Sequence, residues 1–424
     1  MGAEVSAPTA YCSENSDMTK ILHINSVYGV GSTGRLTQCL HRSLRDDGFD
    51  SVVLYGRGPQ AHDREVFRVC DDLYGRAQSF VSRFTGMPYG GCTLSTAATV
   101  RLIRRERPDI VHLQCVNEHF VNVYALVRWL RERQIRTVLT LHADFMFTAN
   151  CGSALGCEGW RDGCRACHDV KRATKSLILN RTAKSYEKLR AAFNGFGNNL
   201  SVVSVSPWLT ERASSSPMLG GFRHLTITNG VDVDVFHPIK PEDISQLCDI
   251  GNRKVVLHVT AQFDDVPGHL KGGSYVFELA RRMKDDSVTF VVIGPSRTSS
   301  AIPKNVQMIG ELSDINELAR WYNVASCTLL TSKQETFSLV CAESLCCGTP
   351  VVGFQAGGPE SVACPEGSSF VPFGDMDALE ACVRDAVVGK RLQRAAVAER
   401  ARSMYANDTM VKKYEEEYGR MLCR

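Results

Sequence analysis

Hydrophobic residues along this chain fall in short runs that alternate with longer amphipathic segments. In the first half the apolar runs are rich in β-branched residues and predict strands: KILHINS (20–26), SVVLYG (51–56), DIVHLQ (109–114), TVLTLH (137–142) and SVVSVS (201–206). The segments between them predict helices at 33–47, around 124–133 and near 175–193. This alternation is typical of a parallel sheet covered by helices on both faces.

The same alternation restarts in the second half of the chain. Apolar runs again predict strands: KVVLHVT (254–260), VTFVVIG (288–294), VQMIG (306–310), CTLLTS (327–332) and PVVGF (350–354). Helices are predicted near 273–283, 315–321 and 339–347. The fold class is therefore α/β, with two doubly wound, Rossmann-like domains facing each other across a cleft. Ligands of such sheets bind at the carboxyl ends of the strands, so we expect the site on the strand-to-helix loops.

The domain boundaries follow from breaks in this pattern. Prolines, serines and glycines interrupt it at 214–241, so we assign 18–228 to an N-terminal domain and 229–405 to a C-terminal domain. A helix within 406–424 is expected to pack back on the N-terminal domain. Residues 1–17 lack the basic start and apolar centre of a signal peptide and are expected to be a disordered tail, with Met18 as an alternative start.

Composition narrows the class of protein. The 424 residues include 49 Lys and Arg against 46 Asp and Glu, a net charge of +3, which argues against nucleic acid as a partner. Apolar residues make up 44%, yet no stretch is long enough to span a membrane. The 17 cysteines are too sparse for a secreted disulfide scaffold, and several lie within apolar runs. We therefore expect a protein of the reducing cytoplasm.

A glycine-rich motif, GVGSTG at 29–34, follows the first strand and opens the first helix. It has three interpretations: a dinucleotide site, a loop that lets a substrate approach backbone amides, or a plain turn. A dinucleotide site needs an acidic residue at the end of the second strand, where this chain has Leu54-Tyr55-Gly56-Arg57. The second interpretation is therefore favoured, with Gly31 facing the substrate.

Two carboxylates, Glu335 and Glu343, lie eight residues apart across a strand-to-helix junction. If that span were fully helical, both side chains would address one side of the cleft. The amides of the intervening Thr336, Phe337, Ser338 and Leu339 would lie at a helix N-terminus, which favours a phosphate. The alternative, two solvated surface acids, fits poorly with the apolar neighbours of Glu343.

Lys271 stands between Leu270 and Gly272 on the loop after the first strand of the C-terminal domain. A lysine beside glycines can reach a diphosphate without steric obstruction. Alone it would be an ordinary surface residue. Together with the two carboxylates it predicts a nucleoside-diphosphate site.

These motifs resemble a known family. E-x7-E at 335–343, K-G at 271–272 and N-G-V-D at 229–232 resemble the signatures of family 4 retaining glycosyltransferases, which have the GT-B fold of two Rossmann domains. The likeness extends over nearly the whole chain from Lys20. INSVYGVGSTGR at 24–35, YGRG at 55–58 and the cysteine-rich stretch at 140–167 resemble the bacterial branch that builds capsular and exopolysaccharides of the colanic-acid type.

The resemblance implies a role for each matching residue. Catalytic roles fall on His142 near the transferred sugar, Lys271 at the diphosphate and Glu335 at the sugar ring. Glu343 would bind the ribose, and the amides around Phe337 would bind sugar and phosphate. The remaining donor-binding positions approach the nucleobase: Gly294, Gly310 and Leu312. From the residues alone, a core imidazole is the alternative interpretation of His142.

Two features bear on whether a metal takes part. The family often carries an arginine a few residues before the lysine, but here 261–270 reads AQFDDVPGHL, so charge stabilisation falls on Lys271 and the helix N-terminus. Asp232 and Asp234 imitate a D-x-D metal motif. Hard cations need more oxygen ligands than this extended stretch supplies, so catalysis without a metal cofactor is expected.

A cysteine-rich loop at 151–167 carries four thiols with the spacing C-x5-C-x6-C-x2-C: Cys151, Cys157, Cys164 and Cys167. Such a set can hold a structural zinc ion. Reduced free thiols and disulfides remain the alternatives.

Arginines crowd the predicted surface of the N-terminal domain: Arg101, Arg104, Arg105, Arg107, Arg128, Arg131, Arg133 and Arg136. They are either a solvated face or a contact for anionic lipid or a polyprenyl-diphosphate acceptor, which would place the protein at the inner face of the membrane.

We therefore expect a retaining glycosyltransferase that moves a sugar from a UDP- or GDP-sugar to a glycan or lipid-linked oligosaccharide in polysaccharide biosynthesis. The alternatives are a sugar-nucleotide epimerase or phosphorylase of the same fold and a catalytically silent scaffold of a polysaccharide assembly complex.

Overall fold

The structure is a computed structural model that describes residues 18–240, 253–284, 287–389 and 394–423. The tail predicted at 1–17 lies outside these residues. Within them the chain forms two α/β domains, each built on its own parallel sheet, so the predicted fold class is confirmed.

The N-terminal sheet has seven strands in the order β3-β2-β1-β4-β5-β6-β7, every neighbouring pair parallel. Its strands are β1 (Lys20–Asn25), β2 (Asp50–Tyr55), β3 (Val66–Arg68), β4 (Ile110–Leu113), β5 (Thr137–Leu141), β6 (Leu200–Ser204) and β7 (Arg223–Thr226). Its helices are α1 (Gly31–Asp46), α2 (Asp72–Thr85), α3 (Thr93–Glu106), α4 (Val123–Glu132), α5 (Phe145–Thr148), α6 (Val170–Thr174), α7 (Thr182–Phe193) and α8 (Pro207–Ser214).

The C-terminal sheet has six parallel strands in the order β12-β10-β8-β13-β14-β15. Its strands, with the separate pair β9 and β11, are β8 (Lys254–Val259), β9 (Phe263–Asp264), β10 (Val288–Ile293), β11 (Ser296–Arg297), β12 (Val306–Gly310), β13 (Cys327–Leu330), β14 (Val351–Phe354) and β15 (Ser368–Val371). Its helices are α9 (Gly273–Arg282), α10 (Ile315–Val324), α11 (Leu339–Cys346), α12 (Gly358–Val362), α13 (Met376–Val388) and α14 (Arg394–Tyr405).

The inner strands of both sheets are almost wholly buried, whereas the outer strands are partly exposed. The burial of β4, β5, β6, β10, β13 and β14 is continuous rather than alternating, because helices cover both faces. In each sheet the strand order reverses beside the first strand, between β1 and β4 and between β8 and β13. The carboxyl ends of these strands are where such sheets bind ligands.

One predicted helix differs from the structure. The segment predicted as a single helix near 175–193 forms α7 only from Thr182, and Lys175 ends the separate helix α6 with a left-handed backbone. The intervening residues are held by tertiary contacts, since Ser176 Oγ donates to the carbonyl of Arg83 at 3.2 Å.

The last helix, α15 (Asn407–Leu422), lies against the N-terminal sheet, although the chain has already passed through the C-terminal domain. Tyr418 Oη and His112 Nδ1 are 2.7 Å apart, and Tyr414 Oη and Thr140 Oγ1 are 2.9 Å apart. All four groups are buried. The chain therefore crosses between the domains twice, which joins them behind the cleft.

Candidate active site

A cavity of about 300 Å³ lies between the domains, at the carboxyl ends of the first strands of both sheets. The N-terminal domain lines it with Ser32 and Thr33 from the start of α1 and with His142 from the end of β5. The C-terminal domain lines it with Lys271 and with the 335–340 segment, which leads from β13 into α11. The structure thus brings together the three predicted catalytic residues and the predicted donor-binding amides.

Lys271 is positioned by a backbone that leaves no room for a side chain at the next residue. Gly272 has φ +66°, and a Cβ there would lie 2.1 Å from the carbonyl oxygen of Thr331. Thr331 Oγ1 donates to the Lys271 carbonyl at 2.9 Å. The loop is therefore fixed against the end of β13, and α9 begins directly after it.

Lys271 and Glu335 form an ion pair inside the cavity, with Nζ and Oε1 2.5 Å apart and both side chains partly exposed. The backbone of Glu335 is held by Ala356 and Gly358 through hydrogen bonds of 3.0 and 2.9 Å. A Cβ on Gly358 would lie 2.3 Å from the carbonyl carbon of Thr336, so this close contact requires glycine. Opposite charges are thus presented side by side to any ligand that enters.

The span between the two glutamates is not fully helical. Helix α11 begins at Leu339, and Ser338, with φ +76°, caps it by accepting from the amide of Cys341 at 3.3 Å. Glu335 therefore lies on the loop and Glu343 within the helix, so the condition under which one helix face would present both is not met. The helix N-terminus itself opens into the cavity, where its amides offer partial positive charge.

Glu343 lies outside the cavity lining, on the inner side of α11. Tyr322 Oη on α10 donates to its Oε2 at 2.8 Å. Burial raises the pKa of Glu343 to about 7, although the bond from Tyr322 and the charge of Arg35 oppose the shift. Arg35 belongs to α1, so a cation of the N-terminal domain acts on this carboxylate across the cleft. Glu343 is thus a partnered acid rather than a solvated one.

His142 is a neutral imidazole at pH 7, because burial lowers its pKa to about 4. Its Nε2 lies 2.9 Å from Oε1 of Gln114. With the amide oxygen as acceptor, Nε2 carries the proton and Nδ1 is left as an acceptor. His142 therefore offers hydrogen bonding rather than charge to the cavity.

Direct hydrogen bonds join the domains beside the site. Gln334, next to Glu335, donates from Nε2 to Oδ2 of buried Asp144 at 2.8 Å and accepts from the amide of Leu155 at 2.6 Å. Thr336 Oγ1 donates to the carbonyl of His142 at 2.9 Å. The loop that carries Glu335 is thus held from the opposite domain, in the arrangement of a closed cleft.

These interdomain contacts were not predicted from the sequence. A glutamine and an aspartate carry no motif of their own, and the partners of Gln334 are 179 and 190 residues away in the sequence. The position of Gln334 next to the E-x7-E motif was the only available signal.

The predicted glycines lie around the cavity rather than in its lining. Gly31 is the first residue of α1, with φ +63°, beside Ser32. Gly294 directly follows β10, and Gly310 is the last residue of the neighbouring strand β12. The Gly294 amide donates to the Gly310 carbonyl at 2.7 Å. Leu312, just beyond, packs against the core. All of them lie at the carboxyl edges of their sheets.

The loop without the family's arginine is held in place by a carboxylate. Asp265 accepts hydrogen bonds from the amides and hydroxyls of Ser299 and Ser300, at 2.5 to 3.0 Å. Although burial opposes the shift, these bonds lower the pKa of Asp265 to about 2. Ala261 lines the cavity in this loop, so Lys271 supplies the positive charge on this side.

The four thiols of the cysteine-rich loop are all free. Burial raises the pKa of Cys151 to about 12, and the other three thiols lie close enough to act on it electrostatically. Within the described ranges, no group of three or more His, Cys, Asp or Glu side chains is arranged to hold a metal ion. Structural zinc stays a prediction.

In the D-x-D motif at 232–234, the Asp232 carboxylate accepts from the amides of Asp234 and Val235 and so forms a turn.

Several arginines of the predicted face contact the protein itself. Arg104 and Arg133 lie over the ring of Trp129, and Arg131 donates to the carbonyls of Ala191 and Asn194. Across the described part of the chain, no helix is long and apolar enough to cross a bilayer.

Comparison with known proteins agrees with this geometry. A family model described as Glycosyltransferase Family 4 matches residues 33–235, and one described as Glycosyl transferases group 1 matches 266–404. WcaC of Escherichia coli (strain K12), named for colanic acid biosynthesis, is 21% identical over 94% of this chain and 99% of its own length.

Solved structures show the same fold. Sucrose-phosphate synthase from Thermosynechococcus elongatus, at 16% identity, has a TM-score of 0.66 over 96% of this chain and 99% of its own. Anabaena HepE, in complex with UDP, has 15% identity and a TM-score of 0.64 over 94% and 99%. Two Rossmann-like domains around one cleft, together with both family models, define a glycosyltransferase of the GT-B fold. Within that class, the chain belongs to glycosyltransferase family 4.

Proposed function

We propose that this enzyme is a retaining glycosyltransferase that transfers a sugar from a UDP- or GDP-sugar to a glycan or polyprenyl-diphosphate-linked acceptor in polysaccharide biosynthesis. The observation that carries the proposal is the Lys271–Glu335 pair at the N-terminus of α11, facing His142 across the cleft. The UDP bound to HepE and the colanic acid pathway named for WcaC support the donor and acceptor classes.

In this proposal the C-terminal domain binds the donor. Lys271 and the amides at the start of α11 bind the diphosphate, because a cation and a helix N-terminus both favour negative charge. Glu343 accepts hydrogen bonds from the ribose, and the carboxyl edges of β10 and β12, with Gly294 and Gly310, receive the base. Gly31 and its neighbours on α1 close over the donor from the opposite domain.

The same groups stabilise the transition state. As the bond to the leaving diphosphate breaks, negative charge grows on its oxygens, and fixed positive groups within a water-poor cleft are most effective there. Glu335 exchanges its pairing with Lys271 for a hydroxyl of the sugar ring. His142 is neutral, so it holds a second hydroxyl through a hydrogen bond.

The carboxylates that line the cavity bear on how the configuration would be retained. Among the described residues that line it, Glu335 is the only carboxylate, and it is paired with Lys271. A free carboxylate would be needed for a covalent glycosyl intermediate. We therefore favour attack by the acceptor on the face from which the diphosphate departs.

We further propose that transfer needs no divalent cation, since Lys271 and the helix N-terminus supply positive charge at the diphosphate. Turnover should then persist in EDTA. Loss of activity with EDTA and its recovery with Mg²⁺ or Mn²⁺ would contradict this part of the proposal. We also propose that the enzyme acts at the inner face of the cytoplasmic membrane.

The test is a panel of UDP- and GDP-sugars with lipid-linked oligosaccharides as acceptors, following nucleotide release and determining the product anomer by NMR. We expect one donor to give a retained linkage and Glu335→Gln to lose at least a hundredfold in kcat. Lys304→Met, exposed at the opposite edge of the sheet, is the matched control.

Other outcomes would assign a different function. Conversion of the donor without an acceptor would indicate an epimerase, and dependence on free phosphate would indicate a phosphorylase. Binding of no nucleotide sugar would leave the scaffold as the better account.

A further inference from the structure

Helix α2 presents a hydrophobic face to solvent. Leu73, Phe80, Val81 and Phe84 are 76, 60, 49 and 41% exposed. At about 100° per residue they fall within an arc of roughly 100°. The buried residues of the helix, Gly75 and Ser82, lie on the opposite side. This stripe is therefore the outward side of a docked helix rather than part of the core.

A second segment extends this face. The apolar residues 177–179 are exposed, with Ile178 at 73%. Leu177 donates its amide to the carbonyl of Arg83 at 2.8 Å, which places the segment at the end of α2. The carbonyl oxygen of Leu179 lies so close to Gly86 that a Cβ there would be 2.5 Å away. We call α2 with residues 177–179 the apolar face.

Beyond Asp71 and Asp72 at the N-terminal end of α2, the charges that border the apolar face are positive. No Asp or Glu occurs between 73 and 105, and Arg76 and Arg83 follow one flank of the apolar stripe on α2. Lys175 and Arg181, both exposed, border the 177–179 segment. An apolar stripe with basic flanks is the pattern of helices that lie in the interface of an anionic membrane.

We propose that the apolar face docks the N-terminal domain on a bilayer that contains anionic lipid. Large exposed apolar patches of this kind mark interaction sites. Arg104 and Arg133, by contrast, stack on Trp129, and Arg131 binds backbone carbonyls, so these arginines are held by the protein itself.

The position of α2 suits such docking. Its first turn lies at the carboxyl edge of the N-terminal sheet, where the Gly58 amide after β2 donates to Oδ1 of Asp72 at 3.3 Å. The cleft opens at the same edge. A bilayer on the apolar face would therefore lie at the side of the N-terminal domain where the cleft is formed. The apolar face thus supplies a contact for the proposed membrane location, and vesicle binding tests it separately from sugar transfer.

The test is flotation of the full chain with vesicles of 60% phosphatidylcholine and 40% phosphatidylglycerol, with pure phosphatidylcholine vesicles as comparison. We expect binding to the anionic vesicles that weakens in 0.5 M salt. Phe80→Ser with Phe84→Ser should lower the partition coefficient at least tenfold. Both side chains are largely exposed, so the variant should fold, which its melting temperature checks.

Matched variants separate this face from nonspecific effects. Val388→Ser removes an apolar side chain that is 82% exposed on α13 and should leave binding unchanged. Arg104→Gln with Arg133→Gln should also leave it largely unchanged, whereas Arg76→Gln with Arg83→Gln should weaken it severalfold. Absence of vesicle binding, or binding that survives Phe80→Ser with Phe84→Ser, would overturn the proposal. A dimer that the same variant dissociates would assign the face to a second copy instead.

Discussion

Glu343 should give donor binding a pH dependence. Burial raises the pKa of this carboxyl to about 7 in the free enzyme. If the ionised form accepts the ribose hydroxyls, the binding-competent fraction is about 0.9 at pH 8 and about 0.1 at pH 6, so the apparent Kd should rise about tenfold on acidification. His142 and His258 have pKa values of about 4 and do not titrate in this range.

Tyr322→Phe tests the cause of that profile. The tyrosine donates to the ionised carboxylate, and a hydrogen bond to a charged group contributes roughly 1.5–3 kcal/mol, or one to two pKa units. Its removal should move the midpoint from pH 7 to between about 8 and 9 and weaken binding at pH 7 by about fivefold to fiftyfold. Glu343→Gln should give a flat profile. Tyr418→Phe, which removes another buried hydroxyl, is the control.

The assay is isothermal titration of the nucleotide sugar between pH 6 and 9, in two buffers of different ionisation enthalpy. Near pH 7, binding should release about half a proton per donor. A flat affinity between pH 6 and 8 in the unmodified enzyme, or an unmoved midpoint in Tyr322→Phe, would refute the reasoning.

Three further predictions follow from the geometry. Gly272→Ala should weaken donor binding at least tenfold, because its Cβ would displace the loop that carries Lys271; titration should show no such loss for Gly389→Ala, whose Cβ meets open space at a similar φ. Gln334→Ala removes two hydrogen bonds across the cleft and should lower kcat/KM roughly tenfold to thirtyfold at about 1 kcal/mol per bond, without a matching loss of melting temperature. Burial lowers the pKa of His23 to about 3 against about 6.5 unfolded, so the unfolded state binds the additional proton and the fold loses stability as pH falls below 6.5; urea unfolding should show His23→Leu reducing the pH slope of the unfolding free energy between pH 6 and 5 by about 1.2 kcal/mol per pH unit.

Much of this enzyme could be predicted from local sequence. Apolar runs of four to six residues located most strands, because parallel strands buried on both faces need continuous apolar side chains. The motif residues Lys271 and Glu335 proved to meet in one cavity, since each follows a strand beside the same switch point. The residue types and their spacing in the sequence were enough to predict that both belong to the site.

What could not be predicted depends on distant contacts. Ser338, with a positive φ, ends the loop that carries Glu335, so helix periodicity does not apply to the span between the two glutamates. Gln334 acquires its function only when the domains meet. The exposure of Phe80 was equally hidden, because an amphipathic helix has the same pattern whether its apolar side faces the core or solvent.

The central claim is that a nucleotide sugar binds in the cleft at Lys271. The most direct test is isothermal titration of UDP- and GDP-sugars into the unmodified enzyme, Lys271→Met and the control Lys304→Met. We predict that at least one donor binds the unmodified enzyme and the control equally, and that Lys271→Met weakens binding at least tenfold through the lost charge on the diphosphate. Equal binding by all three proteins, or no binding to the unmodified enzyme, would contradict the account.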